Sequence, residues 1–350
     1  MFGNLFGRFS KDLGMDLGTA NVRVYVKGRG VIVNEPSVVA INLKTDQILA
    51  LGVEAQNMLG KTPPFILTSQ PLSHGIISDF EVAQKMIRYF IEKAHEHSFN
   101  IVPRPRVVIG VPLEITEVER KAVEDAVLYA GARIVHLVES PMLAAIGARI
   151  NIEEPVGNML VSIGAGTTEI SVISLSGIVT WKSLKVAGDE MNKSVVNYAR
   201  DNFNLILGER VAENIKIATG SAYKLKEPIQ YQMRGRDLIS GLPREIIIND
   251  SEIREALSKN IRTIIESIKS VLEITPPELV ADIYERGVLL TGGSSLLRGL
   301  DKTISEAIEI PVNVATDPLT CTVRGAGVLL ENPSLLKTVT LPSTNETERG

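Results

Sequence analysis

The pattern that most limits how this sequence can fold is a short one that occurs twice. Leu13 to Leu17 and Val22 to Val26 are apolar runs separated by Gly18-Thr19-Ala20-Asn21. Met159 to Ile163 and Thr168 to Ile173 repeat the arrangement around Gly164-Ala165-Gly166-Thr167, nearly half a chain further on. Runs of this length bounded by glycine read as strands joined by a tight turn. A hairpin repeated at domain spacing points to two similar halves, each with its own core. The 350 residues are enough for two domains of ordinary size. Each half also has an apolar strand followed by a helical pattern, so the fold class is α/β. Arg106 to Val111 precedes Thr116 to Ala130, and Gly287 to Leu290 precedes Leu296 to Ile308. Thr116 with Glu119 three residues on forms a capping box. A long amphipathic pattern over 251–273 stops at Thr275-Pro276-Pro277. Residues 184–245 are less regular and read as a smaller inserted subdomain. The polar tail from Lys337 is expected to be disordered.

Three glycine-containing turns follow expected strands: Gly18-Thr19, Gly164 to Thr168, and Thr291-Gly292-Gly293-Ser294-Ser295. Such turns offer backbone N–H groups and hydroxyls to anionic oxygens without a side chain in the way. One alone is ordinary; two repeated at half-chain spacing plus a third form a phosphate-binding pattern. The third is expected to open a helix whose N-terminus also favours an anion. No Walker A sequence and no G-x-G-x-x-G after the first strand is present.

The residues here resemble the actin, sugar kinase and 70-kDa heat-shock superfamily, and within it the bacterial actin-like MreB family of rod-shape proteins. The matching segments are DLGTAN (16–21), VNEPSVVAI (33–41), NMLGKTP (57–63), PRVVIGVP (105–112), GAGTTEISVISL (164–175), AGDEMN (187–192), GERVAENIK (208–216) and PPELVADIYERGVLLTGGSSLLRGLD (276–301). The resemblance implies an actin-like, duplicated ribonuclease H-like α/β fold. It implies a first half of 1–147 plus about 316–336, with a subdomain IB near 33–75 beside IA. The second half is 148–315, with IIB near 180–245 beside IIA, and 337–350 is a tail. It also implies ATP in the cleft between the halves with Mg²⁺ at the phosphates. Asp16 would hold the magnesium through water. Gly18, Thr19, Ala20 and Asn21 would form the first phosphate loop, and Gly164, Ala165, Gly166, Thr167 and Thr168 the second. Gly188 and the helical segment Glu213, Asn214, Ile215 and Lys216 match positions that contact the nucleotide. Gly292, Gly293, Ser294 and Ser295 match the adenine-side turn. Without the resemblance, Glu213 and Lys216 read as an exposed surface pair three residues apart on one helical face.

The chain departs from that pattern where chemistry is expected. Ser162 and Ala165 stand where the family usually has Asp and the middle Gly of Asp-Ile-Gly-Gly-Gly-Thr. Ser140 stands where a Glu usually precedes the proline, and Gln56 where many relatives have Lys. A pre-proline carboxylate polarises the attacking water, and a serine hydroxyl does so poorly. Losing such a group costs about 10²–10⁴ in rate. Thr167 remains for catalysis beside Ser140 and Ser162. ATP is therefore expected to bind and to hydrolyse slowly. Glu139, one residue away, would point about 100° aside on a helix.

Partners follow from the remaining features. On a helix, Phe2, Leu5, Phe6 and Phe9 form one apolar stripe beside Arg8 and Lys11, as in an interfacial anchor on an anionic membrane. Gly3 and Gly7 weaken that helix by about 1 kcal/mol each. Phe99 and Ile101 lie in a loop where the family has a second membrane element. The family also implies head-to-tail polymerisation, with paired protofilaments meeting near Val118. No apolar run approaches the roughly 20 residues of a membrane span. The single cysteine excludes an internal disulfide and fits a reducing cytoplasm. A net charge of −4 without a basic stripe disfavours nucleic acid. His95-Glu96-His97 is expected to be a solvated helix end, since residues two apart do not share a helical face. The favoured reading is a filament at the inner membrane face that controls cell shape. The alternatives are a small-molecule kinase of the same superfamily, or an ATPase-impaired paralogue co-assembling with an active homologue for shape or motility. A chaperone ATPase needs a peptide-binding domain for which the residues after 337 leave no room.

Overall fold

The computed structural model describes residues 11–96 and 104–343. The chain separates into two compact units. One comprises Met1–Pro155, Ile173–Ile178 and Leu319–Gly350; the other comprises Val156–Val172 and Val179–Pro318.

The first unit is built on a five-stranded sheet in the order Ile134–Glu139, Arg106–Val111, Leu13–Leu17, Asn21–Val26, Gly30–Pro36. Leu13–Leu17 runs parallel to Arg106–Val111 and antiparallel to Asn21–Val26, with Asp16 opposite Arg23. The second sheet follows the order Val312–Val314, Val288–Thr291, Asn158–Ile163, Thr168–Ser174, Gly177–Leu184. In both sheets the first strand of the repeated hairpin is central and its second strand comes next. The duplication read from two glycine turns is therefore a duplication of strand order.

Each sheet makes its own core because its strands are apolar on both faces. In the first unit Leu13, Met15, Val22, Val24, Val107 and Ile109 pack against Met86, Ile87 and Phe90 of the helix Phe80–Ala94. In the second, Met159, Val161, Ile170 and Val172 pack against Ile264 and Ile268 of the helix Asp250–Ile274. The helix Glu117–Tyr129 has both hydrogen bonds of the capping box at Thr116 and Glu119.

Smaller pieces accompany each sheet. Gln47–Leu51, Val39–Asn42 and Ile66–Ser69 form a three-stranded sheet beside the helix Gly52–Met58. Leu205–Ile206, Gln230–Asp237 and Pro243–Asn249 form another. Residues 184–245 are more regular than expected, holding the helices Gly188–Phe203 and Glu209–Thr219. Their buried stripe is only Met191, Val195 and Ala199 in the first helix, thin enough to be masked by its charged faces.

Three further expectations are corrected. The helix after Val288–Thr291 starts at Leu300 rather than Leu296, because Gly299 takes φ 71° and resets the chain. The start of the expected tail is helical as far as Val339: Asn332 caps the helix Pro333–Val339, and Leu336 and Val339 are buried, while residues 344–350 lie outside the described residues. Leu341 also packs on the first core. His95 is buried, at 5% exposure, and its ring nitrogens lie 2.7 Å from the Ile91 carbonyl and 3.2 Å from the Lys11 carbonyl.

The last part of the chain is locked into the first unit at a glycine crossing. The helix Ser140–Gly147 packs on Cys321–Glu331 with backbones in contact. A Cβ on Gly147 would lie 1.8 Å from the Cys321 carbonyl oxygen, and one on Gly325 1.9 Å from that of Leu143. No backbone atom can yield that much without moving a helix. Gly325→Ala should therefore cost at least about 1–3 kcal/mol, the usual toll of overpacking. Urea unfolding checks this, and an unchanged midpoint contradicts the crossing.

Candidate functional site

The first phosphate turn is closed by one backbone bond, from Gly18 N–H to the Asn21 carbonyl at 3.1 Å. A Cβ on Gly18 would sit 2.8 Å from that same oxygen, so the turn needs glycine there. Ser37 secures the turn from outside. Its hydroxyl donates to the Gly18 carbonyl at 2.6 Å and its N–H to the Ala20 carbonyl at 2.9 Å. The Thr19 hydroxyl accepts from Gly75 N–H at 3.0 Å. Among the described residues, the N–H groups of Thr19 and Ala20 have no acceptor. Carbonyls are used and amides are left over, which is the polarity an anion requires.

The second turn repeats the closure, with Gly164 N–H donating to the Thr167 carbonyl at 2.9 Å. The helix Gly188–Phe203 grips it end-on: Gly188 and Asp189 N–H donate to the Gly164 and Ala165 carbonyls at 3.1 and 2.9 Å. The Ala165 N–H has no acceptor among the described residues. Thr167 is half-buried, and Thr168 spends its hydroxyl on the Val186 carbonyl at 2.7 Å. Thr168 can therefore act on a ligand only through its backbone.

The third turn joins the second. The Ser294 hydroxyl donates to the Gly164 carbonyl at 2.8 Å. Gly292 has φ 83° and ψ 165°, a region open only to glycine, and a Cβ there would meet the Ile163 oxygen at 2.4 Å. Ser295 turns back to the Gly292 carbonyl at 2.6 Å. The expected helix N-terminus is absent: Gly293–Leu296 is one 3₁₀ turn, followed by the break at Gly299. Gly188 belongs to the same cluster, since a Cβ on it would lie 2.8 Å from the Ser294 hydroxyl.

Lys216 is 8% exposed, and its ammonium donates to the Gly188 carbonyl at 3.0 Å and to Glu213 at 2.7 Å. The Glu213–Lys216 pair thus ties the helix Glu209–Thr219 to the second turn and is more than a surface pair. The remaining residues of that segment diverge. Ile215 is fully buried in the core, whereas exposed Asn214 lines a separate groove with Val211, Gln230, Tyr231, Gln232 and Arg234.

In the first unit, Asp16 is paired with Arg23, Nη1 to Oδ2 at 3.3 Å. Burial pushes the Asp16 carboxyl up, and the Arg23 guanidinium pulls against it. Arg23 was not among the expected site residues. The signal was present in Asn21-Val22-Arg23-Val24-Tyr25-Val26, a lone charge in an apolar strand opposite a carboxylate. Glu139 ends its strand and Ser140 opens the next helix, with its hydroxyl oxygen 2.9 Å from where a Cβ on Gly110 would lie. Burial raises the Glu139 carboxyl above its usual range. Ser162 pairs in register with Thr291. Among the described residues no group of three His, Cys, Asp or Glu could hold a metal, and no helix is long and apolar enough to cross a membrane. Val118 is 79% exposed on its helix. Phe2, Leu5, Phe6, Phe9, Phe99 and Ile101 lie outside the described residues.

Comparison with known proteins agrees with this geometry. The family model described as "MreB/Mbl protein" matches residues 10–338. The cell shape-determining protein Mbl of Bacillus subtilis (strain 168) is 46% identical over 324 residues, covering 93% of this chain and 97% of that protein. The cell shape-determining protein MreB of Escherichia coli (strain K12) is 47% identical over 329 residues, covering 93% and 94%. The crystal structure of MreB5 of Spiroplasma citri bound to ADP superposes with a TM-score of 0.89 at 36% identity, covering 94% of this chain and 98% of that one. The same protein bound to AMPPNP gives 0.88 at 37%, covering 93% and 97%. The chain belongs to the MreB/Mbl family and has its actin-like fold.

Proposed function

We propose that this chain is an ATP-binding, self-assembling cell-shape protein that works as a filament on the cytoplasmic face of the membrane. The observation that carries the reading is the repeated glycine turn. Two turns with the same closing bond expose unbonded amides, at Thr19 and Ala20 in one and at Ala165 in the other. Such amides suit phosphate oxygens and have no structural use in the described fold. Relatives support the rest: MreB5 of Spiroplasma citri is seen with ADP and with AMPPNP, and Mbl and MreB are named for determining cell shape. Gly188, Glu213, Lys216 and Gly292 to Ser295 hold the second turn in shape and flank the nucleoside.

The same site is poorly equipped for hydrolysis. Ser140 and Ser162 supply hydroxyls where water activation and cation binding call for carboxylates. Glu139 is half-buried, with its carboxyl raised by burial; it ends its strand and is the N-cap of the helix Ser140–Gly147, with no side-chain cap hydrogen bond. ATP is held for a long time and spent slowly. This favours a second role as a paralogue that co-assembles with a more active homologue. The metal that usually accompanies ATP is poorly provided for: Asp16 is already ion-paired and Ser162 is neutral.

Sedimentation separates the filament from a kinase. The purified chain should pellet with ATP or a non-hydrolysable analogue, and a chain that stays in the supernatant contradicts self-assembly. Val118→Glu should leave nucleotide binding intact but convert paired filaments to single ones by electron microscopy; unchanged pairs place the contact elsewhere. Phosphate release by the Ser140→Glu, Ser162→Asp double variant should exceed that of the unaltered chain by about 10² or more. No gain contradicts the reading of those serines.

A further inference from the structure

We infer that Arg23 holds the site's one candidate magnesium carboxylate for itself, so that nucleotide binding by this chain depends little on a divalent cation. The inference rests on the proposed ATP site and goes beyond it, since it concerns which cation balances the charge there.

Arg23 and Asp16 are directly opposite on adjacent strands. Their side chains are only 11% and 19% exposed, and Nη1 to Oδ2 is 3.3 Å. The pairing is not an option that solvent can replace. Arg23 Nε is buried and has no partner among the described residues, so Asp16 supplies the guanidinium's one described acceptor. Drawing Asp16 toward a metal would leave a buried cation uncompensated, the costly outcome for any buried pair. A divalent ion at that carboxylate would also face the fixed positive charge of Arg23, which sits on Asp16 Oδ2.

The second position that the family resemblance assigns to the cation is Ser162, a neutral hydroxyl. Among the described residues, no three His, Cys, Asp or Glu cluster elsewhere as a metal site. The phosphate charge is instead met by the unbonded amides of the two glycine turns, which need no metal to be oriented. A magnesium ion can travel with ATP in its own water shell, but the chain gains little from it.

The test is ATP affinity of the full-length protein by titration calorimetry, in magnesium chloride and in EDTA. The expected change on removing magnesium is under about threefold, against the 10- to 100-fold effects typical where a protein orients its metal. Arg23→Leu frees Asp16 and should raise the magnesium dependence to at least about tenfold. Arg23→Lys keeps the charge and should stay insensitive, with thermal unfolding monitored to confirm that each variant folds. Should Arg23→Leu fail to fold, the unaltered chain decides alone: a loss of about tenfold or more in EDTA overturns the inference. A folded Arg23→Leu variant as insensitive as the original overturns Arg23's part in it. Absence of ATP binding in both buffers defeats the ATP reading as well, and so is distinguishable from a binding that merely needs magnesium.

Discussion

One backbone hydrogen bond, made once in each unit, shapes each candidate phosphate turn. Gly18 N–H closes on the Asn21 carbonyl and Gly164 N–H on the Thr167 carbonyl. Each closure turns the chain between two central strands of a buried sheet, so the turn's position is fixed by the core beneath it. The supports then differ. The first turn is held by Ser37 and Gly75. The second is held by the first amides of Gly188–Phe203, by Ser294, and through Gly188 by Lys216. In both, contacts consume carbonyls and leave amides available. A loop prepared in this way pays less ordering entropy when an anion arrives.

Carboxylates are where the molecule is sparing. On the proposed reading Ser140 and Ser162 stand where two are expected, and a third, Asp16, is ion-paired with Arg23. Fewer free carboxylates would lower the negative charge around a bound nucleotide without touching the backbone donors. Binding and hydrolysis draw on different groups, so one can persist while the other declines. A polymer whose subunits hold ATP without spending it would turn over slowly, or would depend on an active partner to set its dynamics.

The fold could be read from the sequence because its signals are local. Glycine turns, apolar strands and the Thr116–Glu119 box each define an element within a few residues. The hairpin strands and the helix Glu117–Tyr129 match their expected limits to within a residue or two. Where reading failed, the deciding contact was remote. The buried state of His95 depends on the Lys11 carbonyl, far away in sequence, and the helix Pro333–Val339 is held by packing of Leu336 and Val339. The 3₁₀ turn after Gly292 and the break at Gly299 come from positive-φ glycines that also suit an ordinary helix start. Site residues were legible as a motif, but their division of labour was not. That Thr168 and Ile215 serve the core, and that Arg23 pairs with Asp16, appears only when the strands are side by side.

Each glycine turn, on the proposed reading, receives nucleotide phosphate through its unbonded amides. Hydrogen–deuterium exchange of the unpolymerised chain, with and without ATP, tests it at the amides concerned. Exchange should slow together at Thr19 to Asn21 and at Ala165 to Thr167. Unchanged exchange at either turn while ATP is bound would contradict that reading.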